Sequence, residues 1–266
     1  MTLETHLDPA SIELPAPSHE WAYFFDLDGT LVELAPLPSG VHGDAELRLL
    51  ISALSTATGG AVAVITGRAI ADIDRIFPDL RLPVAGQHGV ERRTHAGELR
   101  RHLFPLELLD EARTELQAVV ESHPGLLLED KGLSLALHYR QVPRMGSYAH
   151  RVMRRLQQRV GTAFCVQVGK RVVELKPAGR DKGVAIREFM DEAPFAGRYP
   201  VFIGDDVTDE QGFEVVNALG GLSIKVGRGQ TFALRQLANV KAVRRWLSHD
   251  RALFSSTRSV AETVTT

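Results

Sequence analysis

The chain has 266 residues, 44% of them hydrophobic, and a formal net charge of -2, which is enough for one large α/β domain or two smaller ones with a sizeable core. So balanced a charge supplies no global field for gathering nucleic acid or an anionic membrane, and leaves any anionic substrate to locally placed cations. Cys165 is the only cysteine, which excludes an intramolecular disulfide. With no signal-peptide pattern in the first twenty residues and no apolar run near the ~20 needed to cross a bilayer, a cytoplasmic protein is expected.

In chain order, residues 1–20 mix Glu4, Asp8, Glu13 and Glu20 with three prolines and read as a flexible lead. Trp21 to Phe25 is an apolar run of strand type that ends in Asp26-Leu27-Asp28-Gly29-Thr30. The carboxyl ends of strands are where open α/β sheets hold their ligands. Gly29 permits a sharp turn that folds Asp28 back towards Asp26, and two carboxylates in one small site call for a cation or a proton. Leu47, Leu50, Ile51 and Leu54 then mark an amphipathic helix within residues 43–57. Ala61 to Ile65 reads as a second buried strand, ending in Thr66-Gly67-Arg68 before a helical pattern at Ile70, Ile73 and Phe77. Thr66 offers a hydroxyl, and the turn after it backbone N–H groups, to a phosphate oxygen; a threonine there also serves as a helix cap. Pro83 to Gly86 is a short third strand, His88 a hydrogen-bonding loop residue, and Arg92-Arg93 with Arg100-Arg101 a solvated basic turn.

The texture changes near Phe104. One helix followed by two strands occurs twice: a helix with Leu109, Ala112, Leu116, Val119 and Val120 before strands at Leu126–Leu128 and Leu133–Tyr139, then a helix with Tyr148, Val152 and Leu156 before strands at Ala163–Val168 and Arg171–Leu175. This predicts a small α+β module at 104–176 inserted into a core of 21–103 plus 177–253, with a polar tail at 254–266. The expected fold class is α/β, a doubly wound parallel-sheet (Rossmann-like) core carrying that inserted module. Cys165, inside one of the strand patterns, reads as a packing residue.

The parallel pattern resumes with Lys182 at a helix start and the strand Pro200 to Ile203, which ends in Gly204-Asp205-Asp206-Val207-Thr208-Asp209-Glu210. Alone, such an acidic run is equally a helix start. Following the Asp26 motif, Asp205 and Asp209 become candidate metal ligands alongside Asp26 and Asp28. Oxygen ligands without histidine favour Mg2+. Asp26 is the candidate nucleophile towards phosphorus, Asp28 the general acid and base, Arg68 a substrate contact, and Lys182 the cation that offsets the clustered negative charge.

The string from Asp26 to Thr30, with Thr66, Lys182 and Asp205 following in order, resembles the motif set of the haloacid dehalogenase superfamily. The stretches Leu128-Glu129-Asp130-Lys131, His138-Tyr139-Arg140, Val172-Val173-Glu174-Leu175-Lys176-Pro177 and Gly204-Asp205-Asp206-Val207-Thr208-Asp209-Glu210 resemble the bacterial type of the trehalose-6-phosphate phosphatase family, from about Trp21 to Leu247. That resemblance implies Mg2+-dependent hydrolysis of trehalose 6-phosphate in trehalose biosynthesis, functional coupling to a trehalose-6-phosphate synthase, and a cap that contacts the sugar through Glu129, Lys131 and Glu174. Another capped sugar-phosphate phosphatase or phosphomutase shares the same chemical motifs, and a non-catalytic binding module shares the fold.

Overall fold

The computed structural model describes residues 14–34 and 43–249; the expectations for the first part of the lead and for the tail at 254–266 lie outside those residues. The chain divides into two compact units, one comprising residues up to Arg100 together with those from Asp181 onward, the other Arg101–Arg180.

The first unit begins with β1 (Trp21–Phe25), α1 (Ala45–Ala57), β2 (Val62–Ile65), α2 (Ile70–Ile76), β3 (Val84–Gly86), β4 (Glu91–Arg93) and β5 (Leu99–Arg101). The second unit holds α3 (Leu106–Ser122), β6 (Leu127–Asp130), β7 (Leu135–His138), α4 (Gly146–Val160), β8 (Phe164–Gly169) and β9 (Val172–Pro177). The chain then completes the first unit with α5 (Lys182–Met190), β10 (Tyr199–Gly204), α6 (Glu210–Ala218), β11 (Leu222–Val226), β12 (Arg235–Leu237) and α7 (Val240–Leu247).

The larger sheet has eight strands in the order β12-β11-β10-β1-β2-β3-β4-β5. Pairings from β12 through β3 are parallel, and β4 returns antiparallel to β3. Strand β1 is central because its apolar residues face both ways, as a parallel strand covered on two sides requires. Tyr23 and Phe25 enter a core with α1, α2 and α7, through Leu47, Ile51, Ile73 and Val243. Ala22 and Phe24 enter the opposite core with α5 and α6, through Ile186, Phe189 and Phe213. The ring of Phe24 lies 5.4 Å from that of Phe195 and 6.1 Å from that of Phe189. The flanking helices start on side-chain caps: Asp44 accepts from the N–H of Leu47 at α1, and Asp181 from that of Val184 at α5. Such caps satisfy N–H groups that a helix leaves open, each worth ~1 kcal/mol.

The basic pairs depart from the expected solvated turn. Arg100 and Arg101 are exposed, whereas Arg92 and Arg93 are buried on β4. Arg93 donates to Leu82 O (2.9 Å) and Asp74 Oδ2 (2.9 Å). Arg92 pairs with Glu192 and Glu188, its guanidinium 4.8 Å above the ring of Phe189. A buried charge needs such partners, and these come from segments too far along the sequence for local composition to reveal.

The second unit packs a four-stranded antiparallel sheet, in the order β6-β7-β9-β8, against α3 and α4. Leu135, Leu137, Val173 and Leu175 fill the core with Leu109, Leu116, Val152 and Leu156. Strand side chains alternate faces, so Ala136 and His138 of β7 and Glu174 of β9 share the other, polar face. Cys165 is half-buried on β8. Among the described residues no helix is long and apolar enough to cross a membrane.

Candidate active site

The carboxyl edge of the parallel sheet is where the first unit concentrates charge. Asp26 follows β1, its N–H still bonded to Ile203 O of β10 at 2.9 Å, and the residue is 5% exposed at the strand end. Asp205 follows β10 one strand over. The two loops interlock through glycine. At Gly29, φ is +81°, and a Cβ there would lie 2.2 Å from Asp205 Oδ2. At Gly204 a Cβ would lie 2.3 Å from Asp209 Cγ. Any larger residue at either position would displace a carboxylate of the site.

Asp209 is fully buried and serves as the anchor. Its Oδ2 accepts the N–H groups of Asp205 and Asp206, each at 2.9 Å, and its Oδ1 accepts Lys182 Nζ at 2.6 Å. Lys182, the first residue of α5, also donates to Asp26 Oδ1 at 2.7 Å. Asp206 and Asp209 form a reciprocal capping box that starts the short helical turn after β10. Asp26, Asp205 and Asp209 each present a carboxylate oxygen within 4.8 Å of the others'.

So much negative charge in a buried place moves the protonation equilibria. Burial, and then the charges of Asp209 and Asp205, drive Asp26 well above the ordinary carboxylate range against the pull of Lys182. Asp205 is pushed up to about 6, chiefly by burial and then by Asp209. Burial by itself would lower Lys182, but Asp209 and Asp26 outweigh it and raise its pKa, so the ammonium form is held. Lys182 bonds two of the three carboxylates, Asp26 and Asp209, and the pKa of Asp205 stays raised against the pull of both Lys182 and Lys225.

Asp28 is held by a different cation, Arg68. Arg68 grips it in a two-bond fork, Nε to Oδ2 at 2.6 Å and Nη2 to Oδ1 at 2.8 Å, and its carboxylate is not part of the group of three. Thr66, at the end of β2, is 1% exposed and accepts the N–H of Arg68 on Oγ1 at 3.1 Å. His88 donates its N–H to Thr66 O at 2.9 Å, which pins the same turn from the β3 side.

Sequence reasoning missed Lys225. This buried residue on β11 donates to the main-chain oxygen of Asp205 at 2.6 Å and lies 3.7 Å from Glu210. Its signal was a lysine inside the otherwise apolar run Leu222 to Val226, a position a solvated side chain does not occupy.

In the second unit, the polar sheet face gathers the three predicted sugar contacts. Lys131 Nζ lies 3.1 Å from Glu174 Oε2, Ser134 Oγ donates to Glu174 Oε1 at 2.6 Å, and His138 Nε2 is 2.7 Å from Glu129 Oε2. The His138 hydrogen bond, opposed by burial and aided by Lys131, holds Glu129 below the ordinary glutamate range.

A doubly wound sheet with aspartates gathered at its carboxyl edge around a buried lysine places the chain in the class of α/β phosphatases. A family model described as trehalose-phosphatase matches residues 24–239. Trehalose-6-phosphate phosphatase of Escherichia coli K12 is 44% identical over 235 residues, covering 88% of each chain. A probable trehalose-phosphate phosphatase of Sinorhizobium fredii is 42% identical over 207 residues, 78% of each. The chain belongs to the trehalose-phosphatase family. Among solved structures, a trehalose-6-phosphate phosphatase related protein superposes with a TM-score of 0.73 at 28% identity, over 89% of this chain and 99% of that one. The C-terminal domain of the Candida albicans trehalose-6-phosphate phosphatase gives 0.77 at 22% identity, over 85% of this chain and 91% of that one, and speaks for the fold alone.

Proposed function

We propose that the protein hydrolyses trehalose 6-phosphate to trehalose and inorganic phosphate, the closing step of trehalose biosynthesis, through an aspartyl phosphate on Asp26. The observation that carries this reading is Asp26 itself, a buried carboxylate at the end of the central strand, held through Oδ1 by Lys182 and flanked by Asp205 and Asp209. In the first half-reaction a carboxylate oxygen of Asp26 bonds to phosphorus, the bond from phosphorus to the sugar oxygen breaks, and Asp28 gives that oxygen its proton. In the second, Asp28 takes a proton from water, whose oxygen bonds to phosphorus and releases Asp26 and phosphate. Both oxygens of Asp28 are held by Arg68, so at least one bond of that fork loosens for the proton to pass. Thr66 and the turn after it offer donors to the phosphoryl oxygens.

The donor set fits a hard divalent cation. Three carboxylate oxygens lie within 4.8 Å of one another, and burial, then the charge of the neighbouring aspartates, raises the pKa values of Asp26 and Asp205, a cost that a cation relieves. Asp26, Asp205 and Asp209 would hold Mg2+, the oxygen-seeking ion that keeps several waters. Bound there, Mg2+ supplies positive charge to the phosphoryl oxygens.

Glu129, Lys131 and Glu174 suit the sugar hydroxyls, which charged acceptors and donors bind more strongly than neutral ones. The near-neutral charge and single cysteine suit a cytoplasmic enzyme, working in functional coupling with the synthase that makes its substrate. The test is phosphate release with Mg2+ from trehalose 6-phosphate, sucrose 6-phosphate and glucose 6-phosphate, by the native chain and by Asp26→Asn. Trehalose 6-phosphate should be strongly preferred and Asp26→Asn inactive; equal rates on all three would refute the substrate, and an active Asp26→Asn the nucleophile.

A further inference from the structure

Strand β7 carries a small pattern of its own. Leu135 and Leu137 point into the core of the second unit, and Ser134, Ala136 and His138 lie on the other face. Ala136 is in register with Glu129 of β6 on one side and Glu174 of β9 on the other, and residues directly opposed across antiparallel strands share a face. The two polar residues that bracket this alanine each engage one of the flanking acids: His138 meets Glu129 Oε2 at 2.7 Å, and Ser134 meets Glu174 Oε1 at 2.6 Å.

We propose that His138 and Ser134 are positioning residues for the sugar half of the substrate, which set the Glu129 and Glu174 carboxylates before the sugar arrives. This rests on the reading that those two glutamates contact the sugar. A glutamate has three rotatable side-chain bonds, and an unrestrained one loses that freedom when it binds a ligand. Glu129 has the greater need, being about a third exposed on an edge strand. An ionised carboxylate only accepts hydrogen bonds, so His138 Nε2 carries the hydrogen and donates it. The other oxygen, Oε1, takes no hydrogen bond among the described residues, which leaves it to accept a hydroxyl. At Glu174, Lys131 Nζ near Oε2 and Ser134 Oγ on Oε1 hold the carboxylate from two directions. Ala136 between the two acids adds no bulk to the row.

The experiment is a pair of double-mutant cycles on the full chain with Mg2+, reading the ratio of kcat/KM for trehalose 6-phosphate to that for para-nitrophenyl phosphate. His138→Ala should lower that ratio about tenfold, mainly through KM, since a charged hydrogen bond that orders a binding group is lost. His138→Gln, which keeps an N–H donor, should recover most of it. In a Glu129→Ala background, His138→Ala should have no further effect, because its role passes through Glu129. Ser134→Ala should behave likewise with Glu174→Ala, and Ser134→Thr should restore the ratio. If Ser134→Ala does not fold, the His138 cycle decides alone. Independent effects of His138→Ala and Glu129→Ala, or an unchanged ratio in His138→Ala, would overturn the proposal while leaving the sugar contacts standing. An unchanged ratio in Glu129→Ala itself would remove the sugar-contact reading, and the proposal with it.

Discussion

Lys182 and Asp26 lie 156 positions apart in the chain and meet through a 2.7 Å hydrogen bond in which both side chains are almost wholly removed from solvent. The ammonium is shared with Asp209 at 2.6 Å. It is the buried countercharge for two carboxylates, one on each of the loops that close the site.

Lys182→Met should therefore cost more than a surface change. Leaving two buried carboxylates without their cation costs about 3–5 kcal/mol, read as a lower denaturant midpoint with an unchanged slope. Adding Asp209→Asn should recover part of the loss, because one of the uncompensated charges is then gone. A midpoint like that of the native chain would mean that water or ions reach the pair freely.

Chelation should abolish phosphate release, and Mg2+ should restore it, with Ca2+ a poor substitute because its longer bonds and higher coordination number suit this compact set of oxygens less well. Binding to the folded state alone also stabilises it by mass action, so Mg2+ should raise the melting temperature of the native chain. That shift should vanish in Asp205→Asn, which removes a ligand charge. A melting temperature indifferent to Mg2+ would argue against an assembled cation site.

Gly29→Ala is the smallest substitution expected to disable the site without touching a charged group. The added methyl would stand 2.2 Å from Asp205 Oδ2, in a backbone conformation at φ +81°. The left-handed conformation costs an L-residue roughly 1–2 kcal/mol, and the contact forces Asp205 or the loop to shift. Phosphate release should fall by at least about 10², on the scale of a misplaced reacting group, while far-UV circular dichroism stays native.

The Glu129–His138 pair sets a pH dependence in the second unit. Because Glu129 has a folded-state pKa below its usual value, its contribution is fully present above the ordinary glutamate range and is lost as pH falls through the depressed value. The difference in stability between the native chain and Glu129→Gln should thus shrink on acidification towards that value. A difference that keeps growing as the pH falls below the ordinary glutamate range would have the wrong sign for a Glu129 held ionised by His138.

Much of this architecture was legible in local sequence because it depends on neighbours. Five consecutive apolar residues from Trp21 to Phe25 suit a strand covered on both faces, and the same holds for the run from Ala61 to Ile65. The switch to acidic residues at Asp26 and Asp205 marks the strand ends, since an unpaired carboxylate cannot follow the strand into an apolar core. Leucine spacing likewise disclosed α1, and its cap residue Asp44 stands immediately before the first turn.

Only tertiary structure decided which charges face one another. Arg92 and Arg93 look like surface residues until Asp74, Glu188 and Glu192 surround them. Asp28 has no cation near it in the sequence, and Arg68, forty positions on, closes a fork around it. Lys225 looks misplaced in a strand until the Asp205 carbonyl appears beside its ammonium. Hydrophobic periodicity is a property of each segment and survives in the sequence, whereas the energy of a buried charge depends on distances to groups from remote segments, which exist only once the chain has folded.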